Sequence, residues 1–142
     1  MSNPKLKLEN QICHSLYSAT NALVRAYRPL LEKLDLTYPQ YLVMLALWET
    51  DHVAIKDLVR RTRFDAGTLT PILKRLEAKG IIQLVKDDGD SRQKSVVVTE
   101  AGRDMAVIAE AVPDELTCQI DMTAEDAIQL KLLAEKLYSR LS

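Results

Sequence analysis

Glycine is scarce in this chain, four in 142 residues, and aromatic residues amount to one Trp, one Phe and five Tyr. With so few glycines there is no phosphate-cradling loop, and neither a nucleophile elbow nor a catalytic pair of carboxylates can be found. The chain therefore reads as a binding protein, not an enzyme. No run approaches the ~18 apolar residues that a membrane span requires. The start, Met1-Ser2-Asn3-Pro4-Lys5, lacks the apolar core of a signal peptide, so a cytoplasmic protein is expected. In that compartment the two cysteines are normally reduced, and any disulfide is conditional. His14 and His52 stand at no metal-ligand spacing from Cys13 or Cys118, so neither metal nor cofactor is expected.

Charge of one sign is also lacking: 19 Lys and Arg meet 20 Asp and Glu, for a net charge of −1. The balance is uneven along the chain. Between Val53 and Glu100 there are ten Lys and Arg against seven Asp and Glu, while the remainder is acidic. Lys56, Arg60, Arg61, Arg63, Lys74, Arg75 and Lys79 form a local basic cluster, the electrostatic footprint of phosphate contact. A solvated helical face is the blander reading of such a run.

The pattern around that cluster decides between the two. Lys56 to Arg61 has helical periodicity and is followed by a break at Thr62-Arg63-Phe64-Asp65. A second helix, Ala66 to Lys79, gathers Leu69, Ile72, Leu73 and Leu76 on one face, and Gly80 suits its C-terminus. Ile81 to Val85 and Ser95 to Val98 then alternate as a hairpin around a polar tip from Lys86 to Arg92. Helix, turn, helix and hairpin predict a winged helix-turn-helix over residues 36–99, whose second helix enters a DNA major groove. Asp65 is the expected cap and, with Arg63, is counted among the DNA-binding residues. Thr68 and Thr70 are favoured over Lys74 and Arg75 as DNA contacts, because recognition helices present their N-terminal residues. Pro71 fits either a helix started by Asp65, at the loss of one hydrogen bond, or one capped by Thr70. At the hairpin tip Asp87, Asp88 and Asp90 repel phosphate, leaving Arg92 and Lys94 as contacts, with Arg92 suited to a narrow minor groove. Asp90 is spaced to orient Arg92; a surface ion pair of little worth is the alternative.

Both flanks, residues 1–35 and 100–142, read as amphipathic helices within one domain of 142 residues. Ile12, Leu16, Ala19, Leu23, Ala26, Leu30 and Leu34 recur at three and four, capped from either Asn3 or Asn10 and kinked at Pro29. After a break at Asp35-Leu36, Thr37 or Tyr38 caps a helix apolar nearly all round, with Trp48 as core. Thr99 caps a helix that bends or breaks near Pro113, and Thr123 caps the last, with Ile128, Leu132, Leu133, Leu137 and Leu141 on one side. A small winged module cannot cover two such stripes. A two-fold homodimer is expected, delivering two recognition helices to half-sites of a pseudo-palindromic operator in double-stranded DNA.

Cys13 and Tyr17, four residues apart, share a helical face. If Asn10 is the cap, Cys13 stands in the first turn, where the helix dipole favours a thiolate; if the helix starts at Pro4 the argument lapses. Taken alone, either cysteine is more often a small buried hydrophobe than a reactive thiol.

Leu36-Thr37-Tyr38-Pro39-Gln40-Tyr41 through Glu49 resembles the second helix of the organic hydroperoxide resistance regulators, the OhrR branch of the MarR family. Asp65-Ala66-Gly67-Thr68-Leu69-Thr70-Pro71 through Leu76 resembles that branch's recognition helix, Asp90-Ser91-Arg92 the MarR wing, and Asn10 to Cys13 with Tyr17 the sensing segment. The resemblance implies a homodimeric repressor in which Cys13 is the thiolate that organic hydroperoxide oxidises. It further implies support of that thiolate by Tyr17, Tyr38 and the partner chain's Tyr27, and a resolving role for Cys118 of the other chain in a two-cysteine subtype. The segment Arg60-Arg61-Thr62-Arg63 is more basic than the branch leads one to expect, and the wing tip is acidic. Two other readings compete: a MarR regulator released by a small aromatic acid, and a cysteine-based thiol peroxidase, which has no need of a basic helix-turn-helix.

Overall fold

Small polar side chains set where most of the helices begin. The computed structural model describes residues 3–86 and 94–142. Its elements run α1 (Ile12–Glu32), α2 (Tyr38–Glu49), β1 (His52–Ala54), α3 (Ile55–Thr62), α4 (Ala66–Ala78), β2 (Ile82–Lys86), β3 (Lys94–Val98), α5 (Glu100–Ala109), α6 (Ala111–Gln119) and α7 (Ala124–Leu141). Thr37 closes a reciprocal box with Gln40 at the start of α2, with Pro39 in the first turn. The buried Gln40 also accepts a hydrogen bond from Lys79 at 3.1 Å, so its carbonyl is satisfied twice. Asp65, Thr99 and Thr123 cap α4, α5 and α7.

Neither proposed start of the first helix is the observed one. Asn3 caps a 3-10 turn at Pro4–Leu6, a second such turn covers Leu8–Asn10, and α1 opens at Ile12 behind Gln11. Asn10 instead donates to the Pro4 carbonyl, and Gln11 to those of Lys5 and Lys7, so the amides fold the leader back on itself. The helix runs through Pro29 to Glu32. Near Pro113 the chain does break, at Glu110, which leaves the proline in the first turn of α6, where its missing N–H costs least.

The predicted hairpin is part of a three-stranded antiparallel sheet ordered β1-β3-β2. The third member, β1, is the short segment after α2, which alternation over three residues is too brief to reveal. Val53 and Leu84 both lie opposite Val96, on the side that meets the core. Leu58 of α3, Leu69 and Leu76 of α4, and Met44 and Leu47 of α2 fill that core without measurable exposure. Each such side chain contributes roughly 2 kcal/mol of transfer free energy.

Helix α5 reaches the sheet through Gly102, whose carbonyl accepts from the Trp48 indole at 3.0 Å. Trp48 is thus partly buried and hydrogen-bonded, as its polar edge requires. A methyl group at residue 102 would overlap the Ile81 carbonyl oxygen and stand 2.7 Å from Val98 Cγ1. Gly102→Ala is expected to cost about 3 kcal/mol in urea unfolding, an overpacking penalty; stability equal to wild type would show that α5 can shift away.

Little of the terminal helices is covered. No residue of α7 is buried, and Ile12 at the start of α1 is 71% exposed. Among the described residues no helix is long and apolar enough to cross a membrane.

Candidate nucleic-acid interface and thiol site

The turn between α3 and α4 is made by Arg63, whose φ of 65° places it in the left-handed region at the end of α3. Two residues on, the Asp65 carboxylate accepts from the Thr68 amide at 2.7 Å. That bond, reinforced by the Thr68 side chain, holds the Asp65 carboxyl below its ordinary range. The cap's contribution is therefore present above the usual Asp pKa and is lost as pH falls through the depressed one. Asp65 serves as a helix cap, and a carboxylate there would repel phosphate, so its place among DNA contacts is withdrawn.

Leu69, Ile72, Leu73 and Leu76 point inward from α4, and the opposite face carries Gly67, Thr68, Thr70, Pro71, Lys74 and Arg75, all exposed. Pro71 sits inside the helix, so Asp65 and not Thr70 is the cap. The threonines are partly committed to their own helix: Thr68 bonds Asp65, and the Thr70 hydroxyl donates to the Ala66 carbonyl at 2.8 Å. Their oxygens keep acceptor capacity only.

The basic cluster divides in the same way. Arg61 pairs with Glu49 at 2.6 Å, Lys79 is held by Asp35 and Gln40, and Arg63 donates to Glu135 at 2.8 Å with its guanidinium 4.0 Å above the Tyr138 ring. Arg63, expected on DNA, is thus engaged by α7; Glu135 lies 72 residues away in sequence, Tyr138 further still, and neither carries a local signal. Among the described residues, Lys74 and Arg75 have no such ion pair, and Lys94 is exposed at the start of β3. Asp90 and Arg92 fall outside the described residues.

Gly67 was not singled out from sequence. A Cβ there meets only Asp65 Oδ1, at an ordinary 3.5 Å, so nothing inside the chain requires glycine. A helix gains from alanine at such a position, so glycine here leaves the exposed face open to close approach from outside the chain. Gly67→Ala is expected to raise stability by up to about 1 kcal/mol while weakening DNA binding. Unchanged binding in a gel shift would remove Gly67 from the interface.

Cys13 is the second residue of α1, exposed and free, in a first turn whose unpaired amides face solvent. Tyr17 lies one turn further along the same face and is 69% exposed. Cys118, near the end of α6, is also exposed and free. Tyr27 and Tyr38 are elsewhere. Their rings pack 5.1 Å apart, and Tyr41 joins at 5.5 Å from Tyr27. Burial, then the neighbouring Tyr41 and Tyr38, pushes Tyr27 up to about 12, and burial raises Tyr38 and Tyr41 as well. All three hydroxyls stay protonated near neutrality and are available as donors. Fourteen residues of helix separate Cys13 from Tyr27, roughly 21 Å of rise. Tyr38, packed on Tyr27, therefore stands well away from the Cys13 of its own chain.

Compared with known families, residues 25–107 match the model of the transcriptional regulators SarA/Rot, more than half the chain. The chain belongs to this family. Its SarA/Rot core covers the later part of α1 through most of α5, which is the winged helix-turn-helix described above. The organic hydroperoxide resistance transcriptional regulator of Bacillus subtilis is 39% identical over 126 residues, 89% of this chain and 86% of that one. The regulator TtmR of Methylorubrum extorquens is 42% identical over 119 residues, 84% of this chain; the matched part is 61% of TtmR's length. In three dimensions the chain is similar to reduced AbfR bound to DNA, with a TM-score of 0.82, 30% identity and coverage of 99% and 96% of the two chains; AbfR is a Staphylococcus epidermidis protein. The SarA/Rot-family chain is thus a winged-helix regulator of the MarR-like type.

Proposed function

We propose that this chain is a DNA-binding repressor of the organic hydroperoxide-sensing branch, two-cysteine subtype. It works as a cytoplasmic homodimer on a pseudo-palindromic duplex operator, folds as a single domain of 142 residues, and catalyses no turnover. The observation that carries the sensing part is an exposed thiol, Cys13, in the opening turn of a scaffold helix with no buried residue before Leu30. The B. subtilis relative named for organic hydroperoxide resistance supports the choice of oxidant. Gly67, Thr68, Thr70, Lys74, Arg75 and Lys94, with Arg92, face the duplex.

The chemistry balances without a cofactor. The Cys13 thiolate attacks the distal peroxide oxygen, the O–O bond breaks, and the organic fragment leaves as its alcohol after taking a proton. Cys13 is then a sulfenic acid. The Cys118 thiol of the other chain displaces water from it and forms the disulfide. Tyr27 and Tyr38, protonated, hold the sulfur by donating to it, with Tyr17 beside it. A disulfide needs Cα atoms within about 7 Å, so closing it moves scaffold helices of both chains and with them the ~34–36 Å separation that two half-sites demand.

A gel shift with reduced protein is expected to show operator binding that weakens steeply with salt and is lost on adding cumene hydroperoxide. Non-reducing electrophoresis then shows an intersubunit dimer absent in Cys118→Ser. Retained binding by the oxidised wild type would overturn the reading.

A cleft of about 330 Å³ favours a second reading. Val24, Leu31 and Leu36 give it apolar walls, and Arg28, Thr37 and Tyr38 offer a cation and hydroxyls to a small aromatic acid, against which the Glu32 carboxylate in the same lining works. Salicylate binding by calorimetry, with release of DNA by salicylate in Cys13→Ser, would establish that ligand as the signal instead.

A further inference from the structure

We propose that Arg63 is a positioning residue for operator recognition: by pairing with Glu135 and stacking on Tyr138 it fixes the turn ahead of the recognition helix to the C-terminal scaffold helix α7. The inference rests on the DNA-binding reading above but not on its redox part. Arg63 stands between α3 and α4, where its left-handed backbone sets the direction in which α4 departs. Its guanidinium donates to Glu135 Oε2 at 2.8 Å and lies 4.0 Å from the Tyr138 ring centroid, so one side chain is held by two residues spaced three apart on one face of α7. Lys131, one turn earlier, approaches the other Glu135 oxygen at 3.9 Å and steadies it.

Apolar packing does not do this work. An open cleft of about 360 Å³, floored by Leu42, Leu45 and Ala46, separates α2 from this part of α7, and no residue of α7 is buried. The polar latch bridges that gap. Planar and delocalised, a guanidinium can donate to a carboxylate in its plane and stack a ring on its face at once, which a lysine cannot. Fixing the turn to the scaffold before DNA arrives spares the complex the entropy of orienting a loose recognition helix. It also makes the separation of the two recognition helices follow α7.

Arg63→Asn removes the guanidinium yet tolerates the left-handed backbone, and Glu135→Ala removes the acceptor from a helix that favours alanine. The probe is a duplex enriched by the reduced wild-type protein from a randomised pool, and urea unfolding confirms that both variants fold. Each variant is expected to bind it roughly three- to tenfold more weakly, the double variant no more weakly than Arg63→Asn, and all with the wild-type salt slope. An Arg63→Asn defect that reduces the salt slope by about one phosphate, with Glu135→Ala at wild-type affinity, would make Arg63 a DNA contact and overturn the proposal. Additive losses, or wild-type binding by both variants, would overturn it as well. Because every measurement uses reduced protein, a wild type that ignores peroxide sinks the sensing reading and leaves this one standing; a wild type that enriches no duplex sinks the DNA reading instead.

Discussion

Cys13→Ser is expected to bind its operator with wild-type affinity and to keep that affinity in organic hydroperoxide. The exchange replaces an exposed sulfur by an oxygen of similar size, a surface change within about 0.5 kcal/mol of neutral. A neutral hydroxyl does not attack peroxide, so no sulfenic acid and no disulfide forms. Coupling between two sites of one protein typically amounts to ~5- to 150-fold in affinity, and the oxidised wild type should lose binding within or beyond that range while the variant loses none. Cys118→Ser should separate the steps. It still consumes peroxide at Cys13, but the sulfenic acid lacks its resolving thiol and proceeds toward sulfinic acid, which intact mass resolves as added oxygen. A full peroxide response by Cys13→Ser in a gel shift would end the thiol mechanism.

Leu133→Glu should dissolve the dimer and with it tight DNA binding. Leu132 and Leu133 are 65% and 57% exposed, and Leu130 and Leu133 line a groove of about 500 Å³ against Ile12 and Leu16 of α1. Left to water, these side chains would form a run of exposed leucines of the kind that marks an interface. Covered by a second copy, a carboxylate at 133 would be buried twice over, once per protomer of a two-fold pair. Several kcal/mol per buried ion implies a dimer weakened by at least ~1000-fold. The folded module should survive, because α7 contributes nothing to the buried core. The second half-site is then no longer tethered, and the avidity it provided, on the order of 100- to 10,000-fold, disappears. Sedimentation velocity reads the first effect and a gel shift the second. A dimer of undiminished strength would mean that another surface joins the copies.

These two outcomes concern features that the sequence displays openly. The order of the elements was legible because each rests on local chemistry: Thr37 with Gln40, Asp65 before Thr68, Thr99 before Gly102, and a left-handed Gly80 after α4. Apolar residues at three and four placed the inward face of α4 correctly for the same reason. Where local cues were weak, other partners decided. The leader of α1 is held by Asn10 and Gln11 amides turned back on Pro4, Lys5 and Lys7, a competition between caps that no pattern ranks. Strand β1 is too short for alternation to show and exists because Val53 finds Val96 across the sheet.

The candidate site divides along the same line. Cys13, Tyr17 and the exposed face of α4 stand out as candidates by residue type and helical spacing, which act within a turn or two. Which charges stay available for DNA does not. Seven basic side chains looked equivalent in the sequence, and folding tied Arg61, Arg63 and Lys79 to acceptors at Glu49, Glu135 and Asp35. The pairing of Tyr27 with Tyr38 likewise joins two elements that no spacing in the sequence connects. Sequence alone determined the periodic, capped and turn-forming parts of this protein, because those interactions span a few residues. Only the tertiary structure decided which polar groups are spent inside the chain, because an ion pair or a ring contact is set by distance in space, to which separation along the chain is no guide.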